Sequence, residues 1–378
     1  MKKNFKCLFV IFIIILIFSV ILKNRKVNTM STFNDDKQEL FSPYYEKAIA
    51  IVDNMSLEEK VGQLFLVRYD NTLAINEVNN YFPGGYILFA KDFSNHTKSS
   101  IKGELENLQR KSKISLILGV DEEGGTVTRV SRFSNFRDSK FLSPQEIYNI
   151  GGYELLESNE KEKAKLLLSL GINLNLAPVA DVSTNPNDFI YDRSFGMDAK
   201  QTAKYVSNMV KYANESSISS CLKHFPGYGN NLDTHNSVVI DNRSYNTFLN
   251  SDFLPFKSGI EAHVPVILIS HNIVKNIDSI YPASLSKKAH DILREDLGFS
   301  GIIMTDDLNM GAVSKYVDNN EAATLAINSG NDMIITSNFI DMRDEIINNV
   351  NSGKISISTI DLSVKRILAW KFTYNIIR

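Results

Sequence analysis

The sequence has only two cysteines and almost no excess of charge of either sign. Cys7 lies in an apolar N-terminal segment and Cys221 lies far along the chain, so a disulfide scaffold and a cysteine-based zinc site are both excluded. The 41 basic and 43 acidic residues give a formal charge of −2, which leaves no polycationic surface. We therefore expect no nucleic-acid partner and a fold that is held together by packing.

The chain also lacks low-complexity segments, a repeat of fixed period and both glycine-rich phosphate-binding patterns. Its 378 residues are 43% hydrophobic, 22% charged and 10% aromatic, which is the composition of an ordinary globular protein. About 350 residues remain after the apolar N-terminal segment, a length that suits one barrel or two small domains.

A long apolar run lies near the N-terminus, from Cys7 to Leu22, with basic residues on both sides. Its length falls between the core of a signal peptide and a membrane span. Lys-Asn-Arg-Lys follows where a cleaved signal needs small residues, so we predict an uncleaved single-pass anchor over residues 1–26 and an extracytoplasmic body. A secreted protein with a cleaved signal, and a cytoplasmic body tethered by its N-terminus, remain as alternatives.

The anchor is followed by a polar linker over residues 27–43 and then by a catalytic domain over residues 44–378. Ser56 and Glu59 form a capping-box pattern that opens a helix. The last stretch, Ser358 to Tyr374, predicts an amphipathic helix with Trp370 on its packing side.

Short apolar runs alternate with amphipathic stretches along the whole domain, a pattern typical of a parallel sheet that is buried on both faces. Eight such units favour an α/β fold of the (β/α)8 TIM type, with an open doubly wound sheet as the alternative. The predicted strands are 63–69, 85–90, 115–120, 172–179, 219–225, 265–271, 301–307 and 332–337, and the helices between them include 101–112, 160–171, 199–213, 286–298 and 320–330.

Polar residues follow six of these strands at the point where each strand ends. In a closed parallel barrel those ends share one rim, where active sites are built. Charged groups that meet there are costly to desolvate unless a ligand uses them, so we expect a site for a polar ligand. The residues are Arg68, Asp70, Asp121, Glu122, Glu123, Asp181, Lys223, His224, His271, Asp306 and Asp307.

Two of the segments carry acid–base or nucleophilic chemistry. In KHFPGYGNNLDTH, Asp233 and His235 stand two residues apart, so the carboxylate can fix one imidazole nitrogen and leave the other to exchange a proton. In GIIMTDDLNM, an apolar strand delivers Asp306 and Asp307 to the rim, and we expect one chemical and one structural role. The alternatives are a solvated Asp–His pair on a loop and an aspartate that only caps a turn.

Two further segments suit ligand binding, and the second of them suits a polar ring-shaped ligand. In GVDEEGGTVTR, Asp121 emerges from its strand and Gly124-Gly125 lets the backbone approach a bound group closely. In YDRSFG, Arg193 stands between aromatic residues, and its alternative role is an ion pair with Asp192 or Asp188.

Together these segments resemble the bacterial β-N-acetylglucosaminidase branch of glycoside hydrolase family 3, over residues 55 to 375. The resemblance is carried by K-H-F-P-G-x-G with D-[ST]-H and by the T-D-D-L-x-M strand end. It implies a retaining two-step hydrolysis in which Asp306 attacks the anomeric carbon and His235, held by Asp233, acts as acid and base. It also implies sugar-binding roles for Asp121, Arg129, Arg193, Lys223 and His224. A nucleophile must be ionised at the working pH, and we expect the neighbouring charges of Lys223 and Arg193 to keep Asp306 so.

The family pattern is not matched everywhere, because Thr126 and Tyr228 replace an arginine and a histidine. No cofactor or metal is implied, since the histidines lack ligand spacing. The expected protein is a monomeric exo-β-N-acetylglucosaminidase that acts on peptidoglycan fragments or related glycans. The alternatives are a β-glucosidase, a phosphorylase of the same family and a catalytically silent barrel that binds cell-wall glycans.

Overall fold

The computed structural model describes residues 39–231, 239–310, 313, 317 and 321–377. From Leu40 onward the chain forms one compact unit. Phe41 is fully buried, and the backbone N–H of Leu40 donates to Ser300 Oγ at 2.9 Å. The compact unit therefore begins ahead of the predicted boundary at Tyr44.

Parallel strands close into a barrel, as the alternating pattern predicts. The order around the barrel is β1-β10-β9-β7-β5-β4-β3-β2, and β6 pairs with β8 in a separate two-stranded parallel sheet. The strands are β1 (Phe65–Arg68), β2 (Gly85–Leu88), β3 (Ile117–Val120), β4 (Leu174–Asn175), β5 (Ser219–Phe225), β6 (Ile240–Asp241), β7 (Val266–Ile269), β8 (Ile273–Val274), β9 (Ile302–Asp307) and β10 (Met333–Thr336).

Helices surround the barrel and cover its outer face. Two π-helical turns, Phe248–Asp252 and Ile292–Asp296, and 3-10 turns that include Tyr191–Arg193 connect them to the strands. The helices are α1 (Tyr45–Val52), α2 (Leu57–Gln63), α3 (Ala74–Asn80), α4 (Lys98–Lys111), α5 (Pro144–Ser169), α6 (Ala199–Glu215), α7 (Tyr245–Thr247), α8 (Phe253–Glu261), α9 (Lys287–Asp291), α10 (Ala322–Ser329), α11 (Phe339–Asn351) and α12 (Ile357–Thr373).

The strands β2, β3, β7 and β10 have almost entirely apolar sequences because both faces of each strand are covered. Every residue of β2, β3, β7 and β10 is buried. The barrel fold is confirmed, and each of its strands lies within one of the predicted runs.

Local signals also place two helices correctly. Ser56 caps α2, with the Glu59 N–H donating to Ser56 Oγ at 3.2 Å and the Ser56 N–H donating back to Glu59 Oε2 at 3.1 Å. In α12, Trp370 is fully buried and its Nε1 donates to Ser219 Oγ at 2.8 Å. Both features match the sequence-based expectation, so the C-terminal helix is part of the barrel packing.

The predicted membrane anchor, residues 1–26, lies outside the described residues. Within the described part of the chain, no helix is long and apolar enough to cross a membrane.

Candidate active site

A cavity of about 480 Å³ opens at the carboxyl ends of the barrel strands. A second groove, of about 560 Å³, is lined by Met55 and Phe372 and includes one ion pair, Lys113 with Glu59. Nine ionisable side chains instead line the first cavity, which makes it the candidate active site: Arg68, Asp121, Glu123, Arg129, Arg193, Lys223, His224, Asp306 and Asp307.

Irregular strand pairing places consecutive side chains on the same wall of this cavity. On β5, Leu222 pairs with Ile267 and Phe225 with Ile269, so Lys223 and His224 together oppose one residue of β7. A similar shift occurs where β9 passes from Met304 to Asp307 beside β10. A regular strand would send neighbouring side chains to opposite faces, whereas a bulge re-aims one of them. On β5 this explains why both Lys223 and His224 line the cavity. On β9 the two residues opposite one residue of β10 are Thr305 and Asp306, and Asp306 and Asp307 line the cavity.

A buried carboxylate, Glu123, forms the centre of the charge network. Glu123 Oε1 accepts from Arg193 Nη2 at 2.8 Å and lies 2.6 Å from Lys223 Nζ, and its Oε2 accepts from Arg193 Nε at 3.0 Å. Lys223 Nζ also donates to Asp121 Oδ1 at 2.6 Å. Arg129 Nη2 lies 3.6 Å from Asp121 Oδ2. Five residues, from the loop after β3, the Tyr191–Arg193 turn and strand β5, are thereby held as one unit.

The network keeps Glu123 and Lys223 ionised although both are buried. Burial alone raises the pKa of Glu123, but the charges of Arg193 and Lys223 outweigh burial and hold that pKa well below its usual range. Burial lowers the pKa of Lys223, and Asp121 and Glu123 more than compensate, so the pKa is raised overall. The base of the cavity therefore presents fixed charges with defined hydrogen-bonding directions.

His224 is oriented by a second buried carboxylate. Asp181 Oδ2 lies 2.8 Å from His224 Nδ1 and accepts the His224 backbone N–H at 3.1 Å, while Asp181 Oδ1 accepts the Tyr228 N–H at 2.7 Å. His224 Nε2 lies 3.2 Å from Arg193 Nη2. This network assigns the proton to Nδ1 and makes Nε2 an acceptor from Arg193. His224 thus helps to aim the Arg193 guanidinium.

The loop that carries Arg129 is folded around Glu122. The Glu122 carboxylate accepts the backbone N–H groups of Arg129 and Val130 at 2.8 Å each and that of Ser131 at 3.2 Å. The close approach of a ligand to Gly124-Gly125 stays a prediction, and the described close contact of Gly124 is with the protein itself. A Cβ on Gly124 would lie 2.2 Å from the carbonyl oxygen of Leu142, so the close approach is to the protein's own backbone.

The two adjacent aspartates of β9 differ in their contacts. Asp307 Oδ1 accepts the Asn309 N–H at 3.0 Å, and its backbone carbonyl oxygen lies 3.0 Å from His271 Nε2. Burial raises the pKa of Asp307, and the neighbouring charge of Asp306 adds to this rise. Asp306 Oδ1 accepts the Asp307 N–H at 2.9 Å, and its side chain lines the cavity. These contacts give Asp307 a turn-forming role.

The structure brings together Asp121, Arg129, Arg193, Lys223, His224 and Asp306 around one cavity. Asp233 and His235 lie outside the described residues, so the acid/base dyad stays a prediction. Asp70, Asp181 and His271 do not line the cavity; Asp70, for example, accepts the Thr72 N–H at 2.9 Å and closes a turn.

Sequence reasoning missed several features of the site. Arg193 pairs with Glu123 and not with Asp192 or Asp188. The sequence did not reveal this partner because it lies 70 positions away. Lys223 and Arg193 bond to Asp121 and Glu123, partners that the sequence did not assign to them. Glu123 stands two residues after Asp121, and that spacing is the signal that could have identified it. Phe89 and Phe189, which also line the cavity, carry no such signal.

The charge network gives a first testable prediction. Glu123→Gln preserves shape but removes the charge that orients Arg193 and Lys223, so we expect KM for the substrate to rise about tenfold, equivalent to ~1.4 kcal/mol. The kcat value should fall less, because the changed groups bind and do not react. Steady-state kinetics measures both values. Glu162→Gln, which changes an exposed partner of Arg137, is the matched control. An unchanged KM in Glu123→Gln contradicts this positioning role.

With the geometry established, the chain can be compared with known proteins. The model of the Glycosyl hydrolase family 3 N terminal domain matches residues 56–370. The chain belongs to glycoside hydrolase family 3. This result confirms the family that the motifs predict and the enzyme class, a glycoside hydrolase.

Two curated relatives of the chain are named beta-hexosaminidases. Beta-hexosaminidase A of Pseudoalteromonas piscicida is 30% identical over 276 residues, 68% of this chain and 46% of that protein. Beta-hexosaminidase LpqI of Mycobacterium tuberculosis is 28% identical over 329 residues, 84% of this chain and 83% of that protein. The chain thus spans about half of the first relative and most of the second.

A solved structure supports the same grouping. A glycoside hydrolase family 3 beta-N-acetylglucosaminidase from Paenibacillus sp. str. FPU-7 superposes with a TM-score of 0.79 at 27% identity. The match covers 85% of this chain and 63% of that one. The similarity extends over the whole barrel, so the strand-end cavity occupies the position that the fold reserves for active sites.

Proposed function

We propose that the protein is a retaining exo-β-N-acetylglucosaminidase, which releases terminal N-acetylglucosamine from peptidoglycan fragments or related glycans. The observation that carries the proposal is the convergence of Asp306 with five predicted sugar-binding residues on one strand-end cavity. The β-hexosaminidase names of its relatives support the choice of sugar.

In the proposed first step, an Asp306 carboxylate oxygen forms a bond to the anomeric carbon while the glycosidic C–O bond breaks. His235, oriented by Asp233, gives its proton to the departing oxygen, so the leaving sugar is released as an alcohol. In the second step His235 takes a proton from water, whose oxygen attacks the anomeric carbon and frees Asp306. Two inversions at one carbon retain the β configuration.

The buried charges of the cavity suit the recognition of sugar hydroxyls. Arg193 and Lys223 are pure donors and the Asp121 carboxylate is a pure acceptor, and all three have fixed directions in the network. Hydrogen bonds to ionised groups are stronger than neutral ones. A sugar hydroxyl both donates and accepts hydrogen bonds, so one sugar ring can satisfy the donors and the acceptors of the same cavity wall.

Two assays test this function and separate it from its alternatives. Hydrolysis of nitrophenyl β-N-acetylglucosaminide, faster than of the β-glucoside and independent of phosphate, is the expected result. Preference for the glucoside supports a β-glucosidase, and a phosphate requirement supports a phosphorylase. Binding of wall glycans without any turnover supports a silent barrel and contradicts the proposal.

The covalent step is tested by trapping. A 2-deoxy-2-fluoro glycoside with a good leaving group should leave a stable glycosyl adduct on the enzyme. Mass spectrometry of the digested protein should place the added mass on the peptide that contains Asp306. Adduct on another residue contradicts the assigned nucleophile.

We also propose that the protein is a monomer whose body lies outside the cytoplasm, tethered by residues 1–26. The apolar run from Cys7 to Leu22 supports a membrane segment, and export of the body is the usual outcome for such an N-terminal segment. Fractionation of cells that express the full chain, or the chain without residues 1–26, tests it. Recovery of the full chain in the soluble fraction contradicts tethering.

The proposed acid/base role gives a second prediction. His235→Ala should lower kcat/KM for chitobiose by about 10²-fold, because a sugar alkoxide leaves poorly without a proton. The loss should be much smaller for a dinitrophenyl glycoside, whose leaving group needs no protonation. Steady-state kinetics on both substrates measures the difference, with His96→Ala as a control. Equal losses on the two substrates contradict the role of His235 as the general acid.

A further inference from the structure

The loop between β4 and the Tyr191–Arg193 turn exposes one aromatic ring inside the cavity. Phe189 is 36% exposed and lines the cavity wall. Its neighbour Ile190 is fully buried in a small cluster with Val179 and Tyr228. The loop therefore buries one apolar side chain and presents the next one to the cavity.

The exposure of Phe189 is built into the loop by hydrogen bonds. Asp188 accepts from Ser183 Oγ at 2.7 Å and from Asn185 Nδ2 at 3.2 Å, and its carbonyl oxygen accepts the Tyr191 N–H at 3.1 Å. The Phe189 ring also contacts the Tyr228 ring at 67° and 5.8 Å between centroids. A ring held in this way loses little conformational entropy when a ligand covers it.

The other aromatic ring of the cavity wall is already covered. Two guanidinium groups lie over Phe89, with Arg68 at 4.2 Å and Arg129 at 5.5 Å from the ring centroid. These charged groups occupy the ring surface that a sugar would need. Phe189 is therefore the aromatic ring of the described cavity wall that can meet the apolar C–H face of a sugar.

Depth in the cavity separates Phe189 from the charged groups. Glu123 is 4% exposed and Lys223 is 3% exposed, whereas Phe189 is more than a third exposed. When the buried charges hold one sugar ring, the next sugar along the glycan lies nearer to the cavity mouth. We propose that Phe189 is a stacking platform for the sugar on the leaving-group side of the scissile bond. The assignment of that side rests on the proposed function.

The platform gives the enzyme a preference for glycan chains over isolated N-acetylglucosamine. An aromatic ring contributes to binding through the large apolar area that it buries. Removal of the ring should therefore weaken binding of a disaccharide about tenfold and leave binding of the monosaccharide unchanged. This difference between the two ligands is the signature of a second sugar-binding position.

Calorimetric titration of chitobiose and of N-acetylglucosamine into an inactive Asp306→Asn background tests the platform. Phe189→Ala should raise Kd for chitobiose about tenfold and leave Kd for N-acetylglucosamine unchanged, and Phe189→Tyr should restore chitobiose binding. Tyr281→Ala, which removes a ring of similar exposure outside the described cavity wall, is the matched control. Equal changes for both ligands, or no change for chitobiose, overturn the platform.

Measurement of hydrolysis rates distinguishes failure of the platform from failure of the proposed function. Wild-type enzyme that does not hydrolyse N-acetylglucosaminides contradicts the function, whereas the ratio of the two dissociation constants still decides the platform. Active wild type with a Phe189→Ala variant of unchanged kcat/KM on chitobiose overturns the platform alone. A thermal unfolding curve that matches wild type shows that the variant is folded.

Discussion

Asp306→Asn is expected to reduce kcat on nitrophenyl β-N-acetylglucosaminide by at least ~10³-fold, equivalent to about 4 kcal/mol of activation free energy. An amide has no negative charge and is a poor nucleophile, so the glycosyl-enzyme cannot form. The fold should be unaffected, because the amide oxygen of asparagine can still accept the Asp307 N–H that Asp306 Oδ1 accepts at 2.9 Å. Steady-state kinetics measures the loss, and trapping with the fluoro sugar should fail in parallel.

The adjacent residue supplies the control for this prediction. Asp307 also lines the cavity, but its carboxylate caps the turn at Asn309. Because the pKa of Asp307 is raised, its ionised form is less favoured than that of an ordinary aspartate. Asp307→Asn can keep that hydrogen bond, so we expect kcat to fall by no more than about tenfold, ~1.4 kcal/mol. Equal losses in both variants, or full turnover by Asp306→Asn, contradict the assignment of the nucleophile.

The barrel could be predicted because its strands obey a simple physical rule. A parallel strand that is covered on both faces must be apolar throughout, and short runs such as 85–90 and 265–271 show this directly. Helix boundaries were less visible. The helix predicted over 160–171 lies within Pro144–Ser169, where non-helical backbone at Gly151 and Gly152 separates a first helical segment from the rest and interrupts the periodicity.

The residues of the site could be named from the sequence, but their partners could not. Barrel closure alone brings Asp121, Lys223 and Asp306 to one rim. The bulges on β5 and β9 depend on strand register, and register is a property of two strands together. The ion pairs of Glu123 likewise join segments that are far apart in the chain. Strand register and ion pairs between distant segments leave no periodic signal in a single sequence.

A further feature that no sequence pattern marks is a buried amine at Lys371. It lies in α12, is fully buried, and its Nζ donates to Gln63 Oε1 at 2.8 Å. Gln63 Nε2 in turn donates to the Phe82 carbonyl oxygen at 2.9 Å. The contact partner of the amine is therefore a neutral amide, and burial lowers the pKa of Lys371 to about 7.

This lowered pKa makes the stability of the protein depend on pH in a defined direction. Above pH 10.5, the ordinary lysine value, both the folded and the unfolded chain hold a neutral amine. As the pH falls toward about 7, the unfolded chain binds a proton that the folded chain does not, so the free energy of unfolding decreases. Below about pH 7 the folded lysine is charged too, and the loss levels off at about 5 kcal/mol.

Lys371→Met is expected to abolish this dependence. Methionine fills similar space without a titratable group, so the difference in unfolding free energy between wild type and variant should change by about 2 kcal/mol from pH 9 to pH 7, in favour of the variant at pH 7. The variant also leaves Gln63 Oε1 without its donor, but that cost does not vary with pH. Urea unfolding at pH 7, 8 and 9 measures the slope, and Lys354→Met, at an exposed lysine just before α12, is the control. If the unfolding free energies of wild type and Lys371→Met change in parallel with pH, Lys371 does not titrate in this range. Contacts other than the one with Gln63 must then stabilise the charged amine.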